Sequence, residues 1–264
     1  MYNFTFHRPT GLRQASNMLG KLEEPKILAG GQTLIPTMKL RLASPGNIVD
    51  LNAIEGELSG IELKGRSIVI GAMTRHVEVA NSAVVKENLP ALAYLAGLVG
   101  DPAVRHRGTI GGSISNADPA ADYPAGLVGH GATVVTNKRK IAADDFFTGL
   151  FETALETGEI VTSVRFPVPT WSAYQKLRHP ASGYAVVGVL VAQTKSGVRV
   201  AVTGAGPSVF RVAKMEEALT RDFSAKAIEG ITIPADEMNN DIHASAAYRA
   251  HVVTVLAKRA VAAR

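Results

Sequence analysis

The spacing of apolar residues changes several times along this chain, and each change marks a new element. Lys26-Ile27-Leu28-Ala29 is a short apolar run; after Gly30-Gly31-Gln32-Thr33 the spacing becomes helical, with Leu34, Ile35, Met38 and Leu42 on one face. This predicts a strand, a glycine turn and a helix, with Thr33 as N-cap and Pro36 in the first turn, where its missing N–H does little harm. Asn47 to Leu51 and Ser67 to Ala72 read as strands, and Pro90 to Val99 as a helix packed by Leu92, Leu95 and Leu98. A glycine- and alanine-rich stretch from Gly100 to Gly131 follows, read as a long loop of the kind that carries function. Strands resume at 132–136 and 160–166 and stop at Pro167-Val168-Pro169, the expected domain boundary. Beyond it, strands at 171–177, 184–193 and 198–203 precede helical patterns at 212–219 and 244–262, which predicts a small α+β domain.

Composition narrows the possibilities. With 264 residues and 46% hydrophobic content the chain can bury a substantial core. Its longest apolar run, Tyr184 to Ala192, falls far short of the roughly 20 residues of a membrane-spanning helix. The opening residues lack an apolar signal core, so a cytoplasmic protein is expected. The absence of cysteine excludes disulfides, thiolate zinc sites, a cysteine nucleophile and protein-ligated iron-sulfur clusters. Any redox chemistry must therefore reside on a bound organic cofactor or on a partner. The net charge of +5 is scattered. Arg105-His106-Arg107 and Lys138-Arg139-Lys140 are the basic clusters, and without interleaved aromatics they read as solvated faces rather than a nucleic-acid surface. His76, His130, His179 and His243 have no metal-ligand spacing and read as structural or surface residues.

Two glycine pairs carry the candidate chemistry. In Ala29-Gly30-Gly31-Gln32-Thr33-Leu34 the missing side chains let backbone N–H groups approach a ligand, and a helix begins at the same point, an arrangement suited to phosphate. A plain tight turn is the alternative reading. Thr109-Ile110-Gly111-Gly112-Ser113 offers a second such nest with hydroxyls on both sides. Asn116, Asp118 and Asp122 follow, able to accept hydrogen bonds from sugar hydroxyls, or to serve as a turn residue (Asp118) and a cap on a helix suggested at Pro124 to Val128 (Asp122). Neither loop is the G-x-G-x-x-G fingerprint of a dinucleotide fold, and Gly204-Ala205-Gly206-Pro207 reads as a turn.

At these residues the chain resembles the medium, FAD-binding subunits of molybdenum hydroxylases and the flavin domain of xanthine dehydrogenase. Ala29 to Pro36 with Arg41-Leu42 and Val49-Asp50-Leu51 resembles the family's first flavin motif, and Thr109 to Ser113 with Asn116 to Asp122 its second. Tyr2 to Pro9, Gly158 to Pro167 and Ser245-Ala246-Ala247-Tyr248-Arg249 extend the similarity over almost the whole chain. The resemblance implies an α+β fold: a two-subdomain FAD-binding unit of the vanillyl-alcohol-oxidase (PCMH) type at 1–55 and 56–169, and a C-terminal α+β domain at 170–264. It implies that Ala29, Gly30, Gly31, Gln32, Thr33 and Leu34 wrap the pyrophosphate of FAD, with Thr109, Ile110, Gly111, Gly112 and Ser113 on the other side. It also places Asp122 at the sugar hydroxyls, the Val161 backbone against the cofactor, and Lys176 and Tyr184 near the flavin ring. A solvent-facing strand lysine and a core aromatic are the other readings of the last two. No histidine stands where covalent relatives attach FAD, so the cofactor is expected to be non-covalent, and the lack of cysteine argues against the branch carrying an extra cluster in this subunit. The implied assembly is a dimer of heterotrimers with a large molybdopterin subunit and a small subunit holding two [2Fe-2S] clusters. In it this chain relays electrons and has no general acid, base or nucleophile. Rival readings are a self-contained flavin oxidoreductase of the same fold, a basic nucleic-acid-binding protein and a flavin-less scaffold.

Overall fold

Parallel pairing of short strands needs crossover helices, and the first part of the chain supplies them. The computed structural model describes Met1 to Arg264. Strands β1 (Thr5–His7), β2 (Pro25–Leu28) and β3 (Asn47–Asp50) form a parallel sheet in the order β1-β3-β2. The helices Leu12–Lys21 and Leu34–Lys39 make the crossovers. Their core is small: Ala15, Leu19, Val49, Leu51, Ile54, Leu58, Met73 and Ile160.

The second sheet is antiparallel. It comprises β4 (Ile61–Lys64), β5 (Ser67–Gly71), β6 (Thr133–Thr136), β7 (Lys140–Ala142) and, after a separate two-stranded hairpin of β8 (Phe147–Gly149) and β9 (Glu152–Thr153), β10 (Val161–Pro167). Its order is β4-β5-β10-β6-β7. Between β5 and β6 run six helices, His76–Asn81, Ala83–Asn88, Pro90–Gly97, Pro102–Arg105, Ile110–Asn116 and Tyr123–His130. A third sheet, β11 (Trp171–Arg178), β12 (Ala185–Thr194), β13 (Gly197–Thr203) and β14 (Phe210–Arg211), is an antiparallel meander. One of its faces packs on the helices Ala213–Arg221 and Ala246–Ala262. The other packs on Tyr123–His130, where Gly129 leaves no room for a Cβ beside Leu190.

The stretch 100–131 is therefore helical rather than a long loop. The helix suggested at 124–128 is present as Tyr123–His130, which is buried at every residue and so lacks a polar face. Two further expectations need correction. Thr33 has helical backbone angles and makes no capping bond. Leu42 does not extend the helical face, because the helix ends at Lys39, Arg41 takes φ +60°, and Leu42 is exposed. Gly204 to Pro207 is a bend, as expected. No helix is long and apolar enough to cross a membrane.

Candidate cofactor cleft between two glycine loops

The two glycine loops meet in space. A Cβ on Gly30 would overlap the carbonyl oxygen of Arg107 and sit 2.9 Å from the Gly108 Cα, so only glycine lets the first loop lie against the segment leading into the second. Gly31 then turns the chain with φ +77°. Its carbonyl accepts from Ile35 N at 3.1 Å, while the N–H groups of Gln32, Thr33 and Leu34 make no hydrogen bond within the chain. The loop thus presents three consecutive free donors. Asn52 Nδ2 holds it from behind through the Ala29 carbonyl at 3.1 Å, and Asp50 Oδ1 in turn accepts from Asn52 N at 3.0 Å.

The second loop differs from expectation. It is the capped start of the helix Ile110–Asn116, and its backbone donors are consumed inside the protein. Ile110 N donates to Thr74 O at 3.1 Å, Gly111 N to Ala72 O at 2.8 Å, Gly112 N to Thr109 Oγ1 at 3.1 Å and Ser113 N to Thr109 O at 3.0 Å. A nest of free amides is therefore not what Gly111 and Gly112 provide. What remains available here are side chains: the Ser113 hydroxyl and the Asn116 amide are both half-buried, and neither appears in any hydrogen bond of the chain. The Ala72 N–H donates to Thr162 O at 2.9 Å, which ties this loop to β10 one residue from Val161. Beneath the loop His76 donates its backbone N–H to Gly108 O at 2.9 Å. Burial, with Arg105 nearby, lowers the His76 pKa to about 4, so the imidazole is neutral. Nothing in the sequence around His76 signals this supporting role.

The segment from Asn116 to Asp122 is laid on the third sheet. Gly204 N and Thr203 Oγ1 donate to Pro119 O at 2.7 and 2.9 Å, Thr203 Oγ1 also to Ala121 O at 2.7 Å, and Ala185 N to Ala120 O at 3.1 Å. Asp118 Oδ1 accepts from Ala120 N at 2.9 Å, and burial raises its pKa. Asp122 does not cap the following helix and does not turn outward toward a sugar. Its Oδ1 accepts from the Tyr174 hydroxyl at 2.6 Å and its Oδ2 from Lys176 Nζ at 2.8 Å, with the Asp122 and Lys176 side chains 4% and 2% exposed. Lys176 Nζ also donates to Leu98 O at 3.3 Å. Burial pushes the Asp122 pKa up and the Lys176 pKa down, and their mutual attraction opposes both shifts. Lys176 is thus neither a solvent-facing lysine nor a free cation: it joins β11 to the helix Tyr123–His130. Tyr184, 45% exposed at the start of β12, is not core. Burial of its hydroxyl and the charges of Asp118 and Asp122 raise its pKa.

These groups suit a ligand with phosphates and hydroxyls. Three free amides follow a left-handed glycine on one side, unpaired Ser113 and Asn116 lie on the other, and the loop contact at Gly30 holds the two sides together. Within the basic clusters, Arg105 Nη1 donates to Val99 O at 2.9 Å, and Arg139 Nε pairs with Glu159 Oε1 at 3.0 Å.

Residues 2–169 match the family model described as the FAD binding domain in molybdopterin dehydrogenase. The chain is 36% identical to the carbon monoxide dehydrogenase medium chain of Hydrogenophaga pseudoflava, with 98% of this chain and 96% of that one covered. It is 33% identical to the nicotine 6-hydroxylase medium subunit of Paenarthrobacter nicotinovorans, covering 96% and 94%. Among solved structures, a chain of Hydrogenophaga pseudoflava carbon monoxide dehydrogenase superposes with a TM-score of 0.90 at 36% identity, covering 99% of this chain and 97% of that one. A chain of quinoline 2-oxidoreductase from Pseudomonas putida 86 gives 0.88 at 26% identity, covering 99% and 96%.

Proposed function

This chain belongs to the family of FAD-binding subunits of molybdenum hydroxylases, and on that premise we propose that it relays electrons from an iron-sulfur partner through FAD to an external acceptor. The observation that carries the reading is the contact at Gly30, which sets free donors of one loop opposite free side chains of the other. The amides of Gln32, Thr33 and Leu34 hold the pyrophosphate. Ser113, Asn116 and Asp118 take the sugar and ribityl hydroxyls. Ala29, Gly30, Ile110, Gly111 and the Val161 backbone shape the floor. Gly112 keeps the space between the loops open. Asp122 and Lys176 fix the rim on which Tyr184 faces the ring. FAD suits this position because it accepts electrons singly and releases them singly or in pairs. With no histidine at either motif, the cofactor is held without a covalent bond.

The chain spans nearly the full length of relatives called medium chains or subunits, names that support a multi-subunit assembly, here taken as a dimer of heterotrimers in the cytoplasm. The partners are a large molybdopterin subunit that hydroxylates the substrate and a small subunit with two [2Fe-2S] clusters. The spans 1–55 and 56–169 form the flavin unit and 170–264 the C-terminal domain. Stopped-flow absorbance at the flavin band tests the relay. Substrate should bleach the flavin in the purified complex and leave it oxidised in the isolated, FAD-loaded chain. Bleaching of the isolated chain at the same rate would assign substrate chemistry to this subunit instead.

A further inference from the structure

His179 and His243 lie 64 residues apart in sequence, yet His179 Nε2 stands 3.1 Å from His243 Nδ1 at the surface. The ring centroids are 4.4 Å apart and the planes are inclined by 80°. A head-on N–H···N bond would set the two centroids farther apart than this, so the rings meet at an angle, an arrangement from which both nitrogens can turn toward one ion. Two metal–nitrogen bonds of about 2.0–2.1 Å, meeting between a right angle and the tetrahedral angle, separate their nitrogens by roughly 2.9–3.3 Å. We propose that His179 and His243 form a two-imidazole chelate for a divalent transition metal of the zinc, nickel and copper class.

The surroundings favour ligation. Ser182 Oγ lies 3.1 Å from His179 Nδ1 and Ser182 N also 3.1 Å away. With no metal, Nδ1 accepts from Ser182 N–H and Nε2–H donates to His243. When a metal binds, that proton moves from Nε2 to Nδ1, the bond from Ser182 N–H is given up and Ser182 Oγ accepts the proton in its place, so no proton is released. A ligating imidazole typically donates its other N–H to an oxygen in this way. His243 Nδ1 already offers its lone pair. Both backbones are anchored: His179 N donates to Tyr184 O at 2.8 Å, and His243 N to Asp241 Oδ1 at 2.8 Å, while Asp241 Oδ2 pairs with the buried Arg249 at 2.7 Å. No group of three or more His, Asp and Glu side chains gathers anywhere in the chain. The site is therefore open, with water completing the coordination. A bound ion would staple the β11–β12 connection, which ends at Tyr184, to the segment before the C-terminal helix. This site does not depend on the flavin reading.

Calorimetric titration of the full FAD-loaded chain with Zn²⁺, and EPR of one equivalent of Cu²⁺, test it. One site is expected whose affinity falls about tenfold or more in His179→Ala and in His243→Ala, with the two-nitrogen Cu²⁺ coupling reduced to one. Retained flavin and an unchanged melting temperature in both variants confirm that the fold is intact. Ser182→Ala should weaken Zn²⁺ binding while keeping both nitrogens in the spectrum. Zn²⁺ affinity unchanged in either histidine variant, or no Zn²⁺ binding by the parent chain, would overturn the chelate.

Discussion

A side chain added at Gly111 and one added at Gly112 would meet different things. At Gly111 a Cβ would lie 2.6 Å from the Ala72 Cβ and 2.7 Å from its carbonyl oxygen, so Gly111→Val should destabilise the fold and leave little soluble chain. At Gly112 the only close atom is Thr109 Oγ1 at 2.9 Å, and the Ala29 Cβ is 3.8 Å away across the gap between the loops. Gly112→Val should cost about 1 kcal/mol through the disturbed cap and abolish flavin retention in a folded chain. Thermal melts and the flavin-to-protein absorbance ratio check both, and full FAD occupancy in Gly112→Val would place the cofactor elsewhere. At this scale the sequence located the residues better than their roles. The glycine pairs were visible because strand, glycine pair and helix follow one another directly. That Ile110 and Gly111 spend their amides on Thr74 and Ala72 depends on chain folded back from far upstream. The meeting of His179 with His243 is equally non-local.

One element that binds the third sheet to the preceding part of the chain is β11, and its grip is ionic as well as apolar. Lys176 and Asp122 are buried together, and removing one partner strands the other charge. Asp122→Ala and Lys176→Met should each lower unfolding stability by roughly 3 kcal/mol. The double variant should recover a large part of that loss, a coupling that a double-mutant cycle in denaturant measures. Additive losses would mean that the two act separately. Most strands were legible from their alternation or apolar runs, with boundaries displaced by a residue or two, as at 26–29 against Pro25–Leu28. The helix Leu12–Lys21 was missed because its stripe is two residues, with only Ala15 and Leu19 buried, whereas the helix suggested at 124–128 is present as Tyr123–His130.

Over the whole molecule, buried titratable groups set the response to acid. Burial lowers the His76 and His130 pKa values from 6.5 to about 4, with Arg105 and Arg199 adding to the shift and the Gly126 carbonyl opposing it at His130. The unfolded chain takes up protons near pH 6.5 that the folded chain refuses until about pH 4, so stability is full above 6.5 and declines as pH falls through that window. Glu159 extends the decline. Burial alone would raise its pKa, but Arg139, the Glu156 N–H and Thr136 hold it at about 2 against 4.5, and its contribution is lost as pH falls from 4.5 toward 2. Denaturation midpoints between pH 7 and 3 should fall throughout, and Glu159→Gln should flatten only the lower part. A flat profile from 6.5 to 4.5 would contradict the burial of the two imidazoles. The chain changes sheet between β10 and β11 at the proline-spaced 167–169, where a break was expected, whereas the laying of 116–122 onto the third sheet was not readable, because it is made largely by main-chain bonds that carry no residue signature.

The central claim is that FAD lies without a covalent bond between the two glycine loops. It is tested most directly by the absorption spectrum of the complex purified with its partners, after FAD addition and desalting, followed by acid precipitation. Near-stoichiometric flavin bands that pass into the acid supernatant, and that are missing from the Gly112→Val complex, are the expected result. A colourless complex, or flavin that stays with the precipitated chain, would contradict it.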